Sequence, residues 1–259
     1  MNSHLTIDVT QSAQLALIIA VAEGNQATEE LQILLDDAPA DYREVTTDHG
    51  TRIHVVEVDP GKLSISYSAS VTGEAPPAPV TERDLLTYLR PSRYCESDTL
   101  GPTAFAQFWG LTGKDLLEAV SSWVGAQLRY VPGSSLPTDG ATRTLLARQG
   151  VCRDFAHLVV ALLRAVNVPA RLVAVYAPGL YPMDFHAVAE AYVEGAWHIV
   201  DATTLAPRQS LVRIATGRDA ADTAFLSVYK GRADLVEFTV GAVVDDLPLD
   251  DVRNLVQLR

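Results

Sequence analysis

The sequence predicts an α+β fold in which a β domain precedes a core of helices packed on an antiparallel sheet. Three observations predict it. Residues 1–73 alternate apolar and polar side chains between Gly and Asp turns. Glu74-Ala75-Pro76-Pro77-Ala78-Pro79-Val80 then excludes regular structure and favours a semi-rigid, extended join. Beyond it, helical periodicity gives way to a buried strand and a hairpin. The expected division is a β-sandwich over 1–73, a linker over 74–80 and a core over 81–259.

In order, Leu5 to Val9 alternates as a strand, and Gln14 to Ala22 and Leu31 to Leu35 are short apolar runs. Asp48-His49-Gly50 turns into Arg52 to Val58, and Asp59-Pro60-Gly61 turns into Leu63 to Ala69. His49 and His54 read as turn or solvent-face residues rather than ligands. Thr81-Glu82-Arg83-Asp84 opens a short helix, and Asp98 to Gly110 and Gly113 to Leu128 have helical periodicity. Trp109 and Trp123 are expected in the core. Tyr130 to Pro137 reads as loop, and Thr138-Asp139-Gly140-Ala141 opens a helix reaching Arg148, with Gly150 as its cap or turn.

Val151, Phe155, Leu158, Val159, Leu162 and Leu163 recur at helical spacing, so a well-buried helix follows with Cys152 in its first turn. Asn167-Val168-Pro169 ends it, since Pro169 forces Val168 out of the helical region. Ala170 to Tyr176 is a buried strand. Asp184 to Val193 and Gly195 to Thr203 read as strands joined at Glu194-Gly195. Leu205 to Ala224 is expected as an irregular arm, Phe225 to Tyr229 and Leu235 to Val244 as last strands, and the acidic tail as loosely packed.

Composition narrows the function. With 259 residues the chain can bury one large core or two smaller ones. A formal charge of -12 argues against nucleic acid or an anionic membrane as partner. No long uninterrupted apolar stretch suggests a membrane span, and the run Leu15 to Ala22 lacks the flanks of a signal peptide. No Cys/His spacing suggests zinc, and Asp36-Asp37 and Asp250-Asp251 lack the spacing of a calcium loop.

A cysteine alone is more often a small buried hydrophobe than a nucleophile. At a helix start, however, the helix dipole favours the thiolate form. With a two-residue turn at Glu194-Gly195, Val193 faces Ala196, and counting outward Val188 faces Asp201. His186 is then a diagonal neighbour of Asp201 on one face, while His198 falls opposite Ala191 on the other. His157 lies about 140° around the helix from Cys152, on the wrong side to act on it. Arg153 and Asp154 are expected to cap the helix or form ion pairs. A helix-start Cys, a strand His and an Asp on the next strand are a nucleophile, a base and an orienting carboxylate.

Gly150-Val151-Cys152-Arg153-Asp154-Phe155-Ala156-His157, Val168-Pro169-Ala170-Arg171, Phe185-His186-Ala187 and Val200-Asp201-Ala202-Thr203 resemble the transglutaminase-like superfamily of papain-like cysteine enzymes. Pro91-Ser92-Arg93-Tyr94-Cys95 and Tyr130-Val131-Pro132-Gly133-Ser134 are similar to its bacterial branch, in which a β domain precedes the core. The resemblance implies a papain-like core and acyl transfer from an amide or peptide bond by Cys152, with His186 and Asp201. It gives Tyr130 the place of an oxyanion-binding side chain; packing through a hydroxyl bond is the other reading. Hydrolysis by a peptidase or amidase is favoured over crosslinking, because no calcium-type loops like those of animal crosslinking enzymes are present. A glutamine γ-glutamyltransferase, or a binding module on the same fold, are the alternatives. The expected partners are peptide, protein or amide substrates. No cofactor or metal is required. A disulfide between Cys95 and Cys152 would silence the nucleophile, so a reducing cytoplasm fits the two cysteines.

Overall fold

In the computed structural model, which describes residues 1–259, the alternating positions before the proline segment form seven strands. These are β1 (Asn2–Gln11), β2 (Ala13–Leu17), β3 (Ala27–Leu35), β4 (Ala38–Pro39), β5 (Tyr42–Thr46), β6 (Arg52–Val58) and β7 (Gly61–Val71). Leu5, Ile7 and Val9 of β1 and Leu63, Ile65 and Tyr67 of β7 point inward and are buried. Each such aliphatic side chain stabilises the fold by ~1.5–3 kcal/mol when fully buried. Residues 74–80 carry no regular structure.

After them come α1 (Glu82–Thr87), α2 (Gly101–Phe108), α3 (Gly113–Gln127), β8 (Arg129–Tyr130), α4 (Ala141–Ala147), β9 (Gln149–Gly150) and α5 (Cys152–Ala165). The chain continues through β10 (Ala170–Tyr176), β11 (His186–Val193), β12 (Ala196–Val200), β13 (Val212–Gly217), α6 (Ala220–Thr223), β14 (Leu226–Tyr229) and β15 (Arg232–Gly241). A four-stranded sheet in the order β12-β11-β10-β13 forms the core, with every neighbour antiparallel. Helix α5 is buried from Asp154 to Arg164, and its Leu158, Val159 and Leu162 pack with Ala189 and Ala191 of β11. That packing holds the N-terminus of α5, and hence Cys152, at a fixed place relative to β11.

The sandwich is not made by residues 1–73 alone. Strand β15 pairs with β1 to complete a five-stranded sheet, β15-β1-β7-β3-β4, and β14 pairs with β2 in a facing four-stranded sheet, β14-β2-β6-β5. The expected core segment 81–259 therefore includes two strands that belong to the β domain. The apolar interiors also run together, since Tyr176, Ile214 and Ala215 of the core sheet pack in the same cluster as Leu5, Leu15 and Ile65. The Tyr176 hydroxyl donates to Ile19 O at 2.8 Å across this junction.

Several local expectations are corrected. Trp109 is 79% exposed, because it caps the end of α2 and its ring rests against Phe105. His54 is buried, paired across β5 and β6 with Glu44, whose Oε2 lies 2.9 Å from Nε2. The arm expected over 205–224 contains β13, a full strand beside β10. Arg148, not Gly150, ends α4 in the left-handed region, at φ 57°. The acidic tail is anchored rather than loose: Arg208 donates to Asp250 through Nε and Nη2 at 2.9 Å, Ile199 N donates to Val256 O at 2.8 Å, and Leu258 is buried.

Candidate functional site

Local sequence builds the start of α5. Val151 is extended, at φ -112° and ψ 179°, and its N–H donates to Asp154 Oδ2 at 2.8 Å. Asp154 at the third helical position thus satisfies a backbone donor and adds negative charge where the helix dipole is positive. Gly150 is glycine because a Cβ there would stand 2.7 Å from the Asp154 Cβ. Gly150 also pairs in parallel with Tyr130 through β8 and β9, where a loop was expected. That bridge sets Tyr130 beside the helix start. Burial, then the Cys152 charge, push its phenol up to about 12.

The hairpin has the register that the sequence predicts. Val193 pairs with Ala196, Ala191 with His198 and Ala189 with Val200. Glu194 and Gly195 take φ of 52° and 83°, as a tight two-residue turn of this hand requires. Beyond the last of these pairs, on the diagonal, His186 Nε2 lies 2.9 Å from Asp201 Oδ2. The other carboxylate oxygen accepts from Thr203 N at 2.8 Å and Thr203 Oγ1 at 2.7 Å. Asp201 is therefore held on both sides, and its direction toward the imidazole is fixed. Thr203 closes the Val200-Asp201-Ala202-Thr203 motif, and an Asp followed two residues later by Thr is a common side-chain-to-backbone turn.

Burial disfavours charge on His186, but the Asp201 charge and hydrogen bond, with the neighbouring Cys152, outweigh it and raise the imidazole to about 10. For Asp201, burial acts upward and the His186 charge and the Thr203 bonds act downward; the net direction is down. The pair is thus an imidazolium with a carboxylate at neutral pH. His186 Nδ1 is buried and has no hydrogen-bond partner, so one ring nitrogen is tied to Asp201 while the other stays available. The Cys152 Sγ reaches the carbonyl of Phe185, the residue before His186, at 4.0 Å. Cys152, His186, Asp201 and Tyr130 are therefore brought together.

The other candidates are occupied elsewhere. His198 lies opposite Ala191, on the alternate face of β12 from Asp201. His157 accepts from Ala220 N at 3.1 Å, stacks on Tyr94, and is lowered to about 3 by burial. Arg153 donates to Leu136 O at 2.7 Å, and Asp154 is the helix cap. Both cysteines are free thiols, and burial raises Cys95 far above the ordinary thiol range.

Comparison with known proteins places this geometry. Residues 107–202 match the model of the transglutaminase-like superfamily. The crystal structure of a candidate cysteine protease from Cytophaga hutchinsonii is similar over 99% of this chain and 94% of its own, with 32% identity and a TM-score of 0.88. An uncharacterized protein of Mycobacterium leprae is 29% identical over 126 residues, and one of Mycobacterium tuberculosis is 39% identical over 62. These two matches span 44% and 20% of the relatives' own lengths. No helix of this chain is long and apolar enough to cross a membrane. The α5 start, the His-bearing hairpin and a whole-chain match of this extent agree, and the chain belongs to the transglutaminase-like superfamily.

Proposed function

We propose that the protein is a cysteine hydrolase that cleaves an amide or peptide bond through a thioester acyl-enzyme. The single observation that carries the reading is the asymmetry of His186: Nε2 bonded to Asp201, Nδ1 unpartnered, with Cys152 at a helix start beside it. In this mechanism His186 holds the proton of the Cys152 thiol. The thiolate Sγ attacks the carbonyl carbon, forming an S–C bond, and the C–N bond breaks as the imidazolium gives its proton to the leaving amine. Water then attacks the thioester carbonyl as His186 takes up its proton, the C–S bond breaks, and the carboxylic acid leaves with the thiolate–imidazolium pair restored. Asp201 fixes the tautomer and stabilises the imidazolium. The Cys152 backbone N–H and the Tyr130 hydroxyl would donate to the tetrahedral oxyanion.

Water rather than an amine as acceptor is supported by the Cytophaga protein, whose description as a candidate cysteine protease goes with 32% identity along nearly the whole chain. Transfer to an amine would use the same first half-reaction. The substrate class is peptide, protein or amide, and the chemistry calls for no cofactor. It requires a free thiol, which a reducing compartment such as the cytoplasm maintains.

The pH dependence of iodoacetamide alkylation at Cys152, followed by intact mass, tests the assignment. Alkylation should stay fast at pH values below the free-thiol pKa of about 8.5. His186→Ala should convert it to the slow, steeply pH-dependent rate of an ordinary thiol. Identical profiles for the two proteins would remove the pair from the mechanism.

A further inference from the structure

A cleft of about 440 Å³ opens beside Cys152 and His186, within the range of ligand-binding cavities. Its floor is the core sheet: Leu172 and Ala174 from β10, Ala187 from β11 and Ile214 from β13. Ala220 and Ala224, at either end of α6, line one side. Three phenylalanines from distant parts of the chain pack together on another. Phe185 and Phe225 have ring centroids 5.1 Å apart, Phe225 and Phe238 5.7 Å, and Phe185 and Phe238 6.5 Å.

Phe185 directly precedes His186, so this aromatic wall begins at the reacting groups. Its far side belongs to the sandwich, because Phe238 lies on β15, Leu226 on β14 and Ile18 just after β2. Phe238 remains 38% exposed although it lies in an apolar cluster, which leaves aromatic surface open to the cleft. Apart from the reacting Cys152 and His186, the charged groups at the cleft are Arg153 and Asp184, opposite in sign. Arg153 is committed to Leu136 O at 2.7 Å, and Asp184 Oδ1 to Phe185 N at 2.6 Å. An ionic side chain of either sign would therefore meet a like charge as well as an opposite one, and would lose its water for an apolar wall.

We infer that this cleft holds a large apolar side chain of the acyl donor, next to the carbonyl that Cys152 attacks, and that the sandwich supplies part of the wall that selects it. The inference rests on Cys152 being the nucleophile. It gives the β domain a direct part in substrate selection. Ala174 sets the depth of the floor and Phe238 the width of the mouth.

Peptidyl chloromethyl ketones test this without knowledge of the natural substrate, since the Sγ–C bond forms and chloride leaves whichever acceptor follows. Reagents carrying Leu or Phe at either of the two positions nearest the warhead are compared with Ala, Asp and Lys, and labelling of Cys152 is timed by mass. In the native protein one position should favour Leu or Phe by about tenfold or more. Ala174→Leu should collapse that ratio toward one, and Phe238→Ala should move the preference to still larger rings.

A ratio near one together with fast iodoacetamide labelling would overturn the cleft assignment and leave the nucleophile standing. A large ratio unchanged in both variants would place apolar recognition elsewhere. Slow iodoacetamide labelling that His186→Ala does not alter would instead overturn the hydrolase reading itself.

Discussion

Replacing Asp201 by Asn separates a working carboxylate from a structural one. In the structure Asp201 has two separate duties, one oxygen on His186 at 2.9 Å and the other on Thr203 N and Oγ1 at 2.8 and 2.7 Å. The Asn carbonyl oxygen can keep both Thr203 bonds. Its NH2 group would then face His186 Nε2, which can only accept from it by moving the ring proton to Nδ1. That is the nitrogen that must take the thiol proton. Loss of the correct tautomer and of imidazolium stabilisation should slow acylation by about 10²–10⁴, or ~3–5 kcal/mol at the barrier. The folding cost is smaller, about 1.5–3 kcal/mol for one hydrogen bond to a charged group.

That cost has a defined pH window. His186 is raised to about 10 from an unfolded value near 6.5, so its share of stability is full below about 6.5 and is lost as pH rises through about 10. The melting temperature of Asp201→Asn should thus lie furthest below the native one near pH 6–7, and the gap should narrow toward pH 10. Single-turnover acylation by an activated amide, with thermal melts on the same preparation, measures both. Acylation within tenfold of the native rate, with a lowered melting temperature, would reduce Asp201 to a clamp on Thr203 and refute the argument.

Three further outcomes follow from the same geometry. His198→Ala should leave Cys152 alkylation and acylation near native, because its strand partner is Ala191 and its ring lies on the alternate face from Asp201; a large loss would contradict the hairpin register. Glu190 is fully buried between Arg171 and Arg213, with contacts of 2.7–2.8 Å to the first and 2.7 Å to the second. Glu190→Gln should cost ~3–5 kcal/mol in chemical denaturation by leaving two guanidinium groups short of charge, and an unchanged midpoint would show the network to be neutral. Limited proteolysis should cut within 74–80, where no regular structure is present, yet the two pieces should co-elute in gel filtration because β14 and β15 remain paired to β2 and β1. Separation of the fragments would contradict the shared sandwich.

What was legible in the sequence were the features set by short-range rules. The two-residue turn at Glu194-Gly195 fixes the hairpin register, and the register fixes which His meets Asp201. Likewise, Asp154 three residues after Val151 marks the start of α5. What was not legible depended on pairing across long separations. Nothing local says that Arg232–Gly241 returns to pair with Asn2–Gln11, so the expected boundary at 81 assigned two sandwich strands to the core. Strand β13 was hidden by Arg213, a charge that is tolerated in a strand because Glu190 on β11 receives it. His54 was misplaced for the same reason, since its partner Glu44 lies on the neighbouring strand. The aromatic wall at 185, 225 and 238 unites residues from three segments, and no spacing in the sequence announces it.

The most direct test of the central claim is the mass of the protein during reaction with a p-nitrophenyl ester of an apolar N-acyl amino acid. A transient gain equal to the acyl group is expected, located at Cys152 by peptide mapping and released by hydroxylamine as a thioester should be. The adduct should be absent from Cys152→Ala and strongly diminished in His186→Ala. Release of p-nitrophenol at the native rate from Cys152→Ala, or an acyl group found on any other residue, would contradict it.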